Sequence, residues 1–455
     1  MRTELRKMEK IIIQSCGSFY PAPLAVKNNY TTMKIGIQTW GSNGDIRPMI
    51  ALADGLQKAG HTVTLAVTSL DNRSYAKECA AFNISYQQIP EQINFDLEAF
   101  AQQTFRMNTK QWLETLLDIA FFPYEEIIYQ TSQQLAETND LVIGHHFLYP
   151  LKIAAIKQNK PFYSVTFCHT VIPCASHPPF RFPNLGRHIN PLQWQLLEYG
   201  FDWFLKGKLT RLWNSEGLPK IKHVLSQLLC SDQLNLVAVD PVFCSTQNEW
   251  PEQHHACGFL NMNTENDQWH IDKDLQQFLD SGPAPVYMTF GSLQQAVPGW
   301  SMELFVKATQ LAGCRAIIQT SSEKYPANSQ QHNIFFIGRH PHQSLFKHCA
   351  AVVHHGGAGT THSASLCGRP SIVIPFMDEQ LFWACTLEQL GLAPKPLPAK
   401  LANEKQLAAR LNTVLTNKNH QNNASKIGPI ISASNGVENA VKLIQTTFKS
   451  NLSKP

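Results

Sequence analysis

Apolar positions along the chain fall into two alternating rhythms. Short apolar runs, many rich in β-branched residues, recur at 34–38, 141–144, 162–166, 234–239, 285–290, 315–319, 333–337, 350–353 and 371–374, and 62–68 alternates apolar with polar. Such runs suit strands of a buried parallel sheet. Between them apolar residues return at helical spacing: Met49, Leu52, Ala53 and Leu56 do so behind Pro48, and Gly60 closes that helix. The stretch 71–88 repeats helix then strand, 108–137 reads as mostly helical, and 435–449 reads as a last helix. This alternation predicts an α/β chain built from two series of βαβ units. The first domain is expected at 33–246 and the second at 283–430, joined by a polar linker, 247–282, that contains Pro251. Residues 431–455 form the final helix and tail. Residues 1–32 mix charges, Pro, Asn and Thr without periodicity, which fits a disordered extension or a start that truly lies at Met33.

Composition narrows the classes. A chain of 455 residues accommodates two domains, and 43% hydrophobic content is globular rather than disordered. A net charge of +4 is too small to argue for nucleic acid. No apolar run is long enough to span a bilayer, and the secretory-leader pattern is missing. The 11 cysteines are scattered without a Cys-x-x-Cys pair, as expected of reduced thiols in a cytoplasmic protein. His254, His255 and Cys257 lack a second ligand pair at a recognisable spacing, so no metal site is expected.

The candidate chemistry lies in the loops after strands. The run 350–353 passes into His354, His355, Gly356, Gly357, Ala358, Gly359 and Thr360, and a helix follows. A glycine turn opening a helix leaves free N–H groups and a positive dipole end, which attract phosphate. It is not a dinucleotide fingerprint, because His362 stands where a third glycine belongs, nor a Walker loop, because Gly-Lys-Thr/Ser is absent. The next strand leads to Glu379 and Gln380. Near the other end, 39–48 contains Gly41, Ser42, Gly44, Asp45 and Pro48 after a strand. Open α/β sheets take ligands beyond the carboxyl ends of their strands. By the same rule His145, His146 and His169 lie near a cleft.

His-x-Gly-Gly-x-Gly-Thr, followed by a strand and an acid–Gln pair, resembles the donor signature of nucleotide-sugar glycosyltransferases of the GT-B type. The Gly-Ser-x-Gly-Asp-x-x-Pro loop resembles their N-terminal motif. The resemblance is strongest to sterol glucosyltransferases and bacterial antibiotic and macrolide glycosyltransferases. It implies two Rossmann-like α/β/α domains facing across a cleft, with the last helix crossing back to the first domain. It also implies an inverting enzyme that moves a hexose from UDP-glucose or a similar donor to a hydroxyl of a bulky apolar acceptor. Asp45 would be the base, with His169 competing for that role. Gly44, Gly291, Ser292, His354, Gly356, Gly357, Ala358, Gly359 and Thr360 would bind the donor, with His354, the backbone around Gly357, Gly359 and Thr360, and Ser292 opposite holding the diphosphate without a metal ion. Arg339 and His342 would hold the base, and Glu379 and Gln380 the sugar. Trp40, His145, Phe147 and Trp194 would contact the acceptor.

Two departures from the family bear on donor choice. Arg339 replaces the Trp on which plant-type relatives stack the base, and His362 replaces their ribose-binding Glu. The choice between uridine and thymidine stays open at this point. So do a nucleotide-sugar epimerase or hydrolase, and a silent nucleotide-sugar-binding protein, as rival readings. The segment 170–222 changes character, with Pro173, Pro178, Pro179 and Pro183 and the aromatics Trp194, Tyr199, Phe201, Trp203, Phe204 and Trp213 among Arg and Lys. It reads either as a helical pair on the first sheet or as an acceptor-pocket wall that touches a membrane transiently. The partners expected are thus a nucleotide sugar and an apolar hydroxyl-bearing molecule or lipid, with no nucleic acid, and the chain is expected to act as a monomer.

Overall fold

A computed structural model describes residues 31–452 apart from 97–98, 101–102, 104–106, 263–269, 295–297, 321 and 323. The extension expected at 1–32 therefore lies, up to residue 30, outside the described residues, as does 263–269 of the expected linker.

The chain forms two compact units. The first contains β1 (Lys34–Gly41), α1 (Asn43–Lys58), β2 (Thr62–Ser69), β3 (Ser85–Gln88), α2 (Glu125–Thr138), β4 (Leu141–His145), α3 (Tyr149–Lys157), β5 (Phe162–Thr166), α4 (Asn190–Phe201), α5 (Gly207–Ser215), β6 (Asn235–Val237) and β7 (His254–Ala256). Its seven strands run parallel in the order β3-β2-β1-β4-β5-β6-β7. The strand order reverses beside β1, where Gln38 pairs with Gly144 of β4. The core beneath joins Ile35 and Ile37 of β1 to Ile46, Met49, Ile50 and Leu56 of α1. The last helix of the chain, Gly436–Leu452, belongs to this unit: Ala440, Val441 and Ile444 enter the same core, and Gln445 meets His61 at 3.0 Å.

The second unit contains β8 (Val286–Met288), α6 (Pro298–Ala312), β9 (Ala316–Gln319), β10 (Ser329–Gln331), β11 (Ile334–Ile337), α7 (His342–Phe346), β12 (Ala351–His354), α8 (Ala358–Leu366), β13 (Ser371–Val373) and α9 (Asp378–Gln389). Its strand order is β10-β11-β9-β8-β12-β13, parallel throughout except for β10 against β11. The order again reverses beside the first central strand, between β8 and β12. Strands buried on both faces read as apolar runs, which is why the sequence pattern finds most of them. The edge strand β10, Ser-Gln-Gln, has no such run and is not anticipated. After β6 a short turn, Pro241–Phe243, is capped by Asp240, which accepts from Val242 N–H. Every described cysteine is a free thiol. No described helix is long and apolar enough to cross a membrane.

Candidate active site

Both reversal points carry the loops singled out in the sequence, as expected where adjacent strands send their connections to opposite faces. In the first unit β1 ends on Gly41, whose φ of +140° suits glycine alone. A side-chain carbon there would lie 2.3 Å from Asp45 Oδ2. Ser42 caps α1, and Asp45 closes the capping box: its Oδ2 accepts from Ser42 N–H at 2.8 Å and from Ser42 Oγ at 3.2 Å. Asp45 Oδ1 faces His145 Nε2 at 3.8 Å, beyond hydrogen-bond length. Burial raises the Asp45 carboxyl from 3.8 to about 6, against the downward pull of the Ser42 hydrogen bonds. The side chain keeps 34% of its surface open, so crowding rather than full closure raises it, and a small molecule can still reach it.

The neighbouring histidine offers no free lone pair on the side that faces Asp45. His145 ends β4 and is buried. Its Nδ1 accepts the Phe147 N–H at 3.3 Å, which places its proton on Nε2, toward Asp45. Desolvation and the adjacent His146 hold its pKa well below 6.5, so it stays neutral. In this tautomer His145 has no lone pair to offer, whereas Asp45 Oδ1 has one. His145 thus turns an N–H toward the carboxylate, which Ser42 holds. The chain places this pair 100 residues apart, and the β1–β4 pairing brings the two together.

The other residues named for this unit take the following places. Trp40 is buried, donates its indole N–H to Ala120 O at 3.1 Å and packs edge-on to Phe121. Phe147 lies beside the His145 and His146 rings. Trp194 is buried and donates to the Cys174 and His177 carbonyls, which fixes the 174–177 loop on α4. His169 sits against Cys244 Sγ at 3.6 Å and the Trp250 ring, and burial lowers its pKa to about 4. Gly44 lies exposed in the first turn of α1.

In the second unit β12 ends on His354, which is fully buried. Its Nδ1 accepts the Gly356 N–H at 3.1 Å, so the proton sits on Nε2, a buried atom without a hydrogen-bond partner. An orphaned buried donor is costly and leaves a hydrogen bond to offer. Burial, with His355 and His342 nearby, holds His354 well below 6.5 and neutral. Gly356 takes a φ of +94°, and a side-chain carbon there would lie 2.8 Å from Gln380 O. α8 follows with Gly357 at its N-cap position, no side-chain cap and no acid in its first turn. Its open end at Ala358, Gly359 and Thr360 therefore presents bare N–H groups and the positive dipole end, and nothing lies within 4 Å of a side-chain carbon built on Gly359.

His355 was passed over in the sequence because only its neighbour fits the motif position. Its ring lies beside both glycine turns: side-chain carbons on Gly291 and Gly357 would come within 3.2 and 2.5 Å of it. Its Nδ1 is buried without a partner, and burial lowers its pKa to about 4. The doubled His-His before a glycine turn was the available signal. Ser292 follows Gly291 on a short turn, Gly291–Gln294, and its side chain is not among those described. Gln380 is buried, with Oε1 accepting from Phe376 N–H at 2.8 Å, while Glu379 is exposed at the start of α9. Arg339 is exposed. His342 stacks on Phe346, and the neighbouring His340 meets the Tyr287 ring. His362 is buried, and burial lowers its pKa to about 3. Among the described residues no three His, Cys, Asp or Glu side chains converge as metal ligands.

Residues 314–443 match the family model described as erythromycin biosynthesis protein CIII-like, C-terminal domain. The chain is 25% identical to O-mycaminosyltylonolide 6-deoxyallosyltransferase of Streptomyces fradiae, over 91% of this chain and 97% of that one. It is 27% identical to the sterol 3-beta-glucosyltransferase of Saccharomyces cerevisiae over 90% of this chain, but spans only 35% of that longer protein. Among solved structures, CalG4, the calicheamicin glycosyltransferase, superposes with a TM-score of 0.66 at 15% identity, covering 93% of this chain and 100% of that one.

Proposed function

We propose that this chain, which is similar to glycosyltransferases of the GT-B fold, transfers a hexose, with inversion, from UDP-glucose to a hydroxyl of a sterol or similar bulky apolar molecule. The observation that carries this reading is the Asp45 carboxylate. Its Oδ2 is held by Ser42, its Oδ1 is free of a hydrogen bond, and its pKa is raised to about 6. That is what a general base for a hydroxyl requires at neutral pH.

In this reading the donor's diphosphate sits at the open end of α8. The reaction breaks the bond between the anomeric carbon and the diphosphate oxygen, and negative charge grows on the leaving diphosphate. The N–H groups of 358–360 and the neutral, donating His354 meet that charge already oriented, with the neutral His355 beside them, so little reorganisation is needed as the bond breaks. The same donor set lets the reaction run without a metal ion. The acceptor oxygen attacks the anomeric carbon from the face opposite the leaving group, and Asp45 Oδ1 takes its proton. One displacement turns an α-linked donor into a β-linked product. Glu379 and Gln380 hold the sugar hydroxyls, and Arg339 and His342 the nucleobase. The names of the sterol and tylonolide relatives support an apolar polycyclic or macrocyclic acceptor. We take the enzyme to work as a monomer.

The test is a transfer assay with chelator present, UDP-glucose or TDP-glucose as donor and a panel of sterols and polyketide alcohols as acceptors. The expected result is a β-glucoside formed from UDP-glucose. Glucose released at the same rate with and without any acceptor would instead mark a hydrolase.

A further inference from the structure

α4 faces the wrong way for an ordinary surface helix. Its inward side carries Trp194 and two amides. Asn190 is fully buried and donates to Ala175 O at 3.0 Å, and Gln193 is buried and donates to Pro183 O at 3.1 Å. Its outward side is apolar. Ile189 is 44% exposed, Leu192, Leu196 and Tyr199 are 60% exposed, and Trp203 is 82% exposed. Their steps of three and four residues place them in one stripe along α4 and the turn that follows it. A helix that buries amides and displays leucines is built to be covered, since contiguous exposed apolar surface is costly in water.

Charge identifies the cover. Between residues 181 and 222 there are seven Lys or Arg against three Asp or Glu, a net of +4 that equals the net charge of the whole chain. The three acids are engaged by their own unit. Asp202 is held by His223 at 2.7 Å and by Val224 N–H, Glu198 by Ser226, and Glu216 by Lys157. The cations flank the stripe at both ends. Arg187 lies just before it, and Lys206 just after it donates to Lys222 O, which brings the exposed Lys220 and Lys222 alongside. Arg187 and Lys208 pair with Glu249 and Asp118, but these are surface pairs that a stronger anionic field can outbid. A second copy of the chain on this face would set the same positive segment against itself. An anionic bilayer meets both features at once: leucines enter the acyl boundary, Tyr199 and Trp203 suit the headgroup layer, and the cations meet lipid phosphate.

We propose that this face of α4 docks the protein reversibly on anionic membrane surfaces. The inference rests on the exposed face of one helix and not on the reaction. The experiment is flotation of the full chain with vesicles of phosphatidylcholine alone and of phosphatidylcholine with about a third phosphatidylglycerol. The wild type floats with the anionic vesicles, roughly tenfold more than with the neutral ones, and high salt reverses this. Leu192→Glu with Leu196→Glu lowers the bound fraction roughly tenfold, and Lys220→Ala with Lys222→Ala does so by a similar factor. Melting temperature and UDP affinity show that the variants are folded, and Trp203→Ser repeats the face test at one position. Three outcomes overturn the proposal: no flotation with anionic vesicles, equal flotation with both kinds, or a concentration-dependent dimer that Leu192→Glu with Leu196→Glu splits.

Discussion

The helices that follow the two reversal points are closed in opposite ways. α1 is sealed by its own anion, because Asp45 accepts from Ser42 and fills the place a foreign anion would take. α8 is left open, with glycine at its N-cap position, no acid in its first turn and two neutral histidines beside it. The strand orders correspond, with the first central strand of each sheet lying beside the point of reversal. The lesson is that topology places a ligand-accepting loop in each unit, and the residue at the helix start decides its use. In the proposed reading the built-in carboxylate serves as a base and the empty positive end as an anion site.

The largest break in this contrast is Asp45→Asn. It keeps an oxygen for the Ser42 N–H but removes the base, so kcat should fall by about 10²–10⁴ while UDP affinity holds. Full turnover would hand the base role to another group. Next is Gly359→Asp, which gives α8 the acid that α1 has, at a position with open space. UDP affinity should drop roughly 10- to 100-fold from charge repulsion, read by titration calorimetry; an unchanged Kd would move the diphosphate elsewhere. A smaller effect is expected from His145→Asn. With the buried ring that crowds Asp45 made smaller, kcat falls about tenfold at constant KM and the acid limb of the pH profile shifts, whereas a merely structural role would lower the melting temperature and leave that limb in place.

The smallest effects concern pH. Asp45 is competent only when ionised, so kcat/KM of the wild type should fall as pH drops through about 6. Stability moves the other way. A carboxyl whose pKa rises from 3.8 unfolded to about 6 folded adds stability that is complete below 3.8 and is lost as pH rises through about 6. At neutral pH Asp45→Asn should therefore melt at or slightly above the wild type; a clearly lower melting point would show that the carboxylate's cap outweighs its burial.

Most of this frame was legible in the sequence. Buried parallel strands announce themselves as apolar runs, and the two glycine loops follow them directly. The Asp45–His145 contact was not legible, because it depends on β1 pairing with β4 across residues that sequence spacing does not connect. Nor was the place of His355, which comes from the fold of one turn against Gly291. For Trp194, aromatic content alone does not show that its indole bonds to two carbonyls of the 174–177 loop. The outward stripe of α4 was visible as aromatic content in 170–222. Its direction was not, because Asn190 and Gln193 look like surface residues until their carbonyl partners are placed.

The measurement that bears most directly on the division of labour is a calorimetric titration of UDP, in chelator, into the wild type, Asp45→Asn and Gly359→Asp. The expected result is one site per chain, an equal Kd for the wild type and Asp45→Asn, and a much weaker one for Gly359→Asp. Binding that survives Gly359→Asp but is lost with Asp45→Asn would contradict the account.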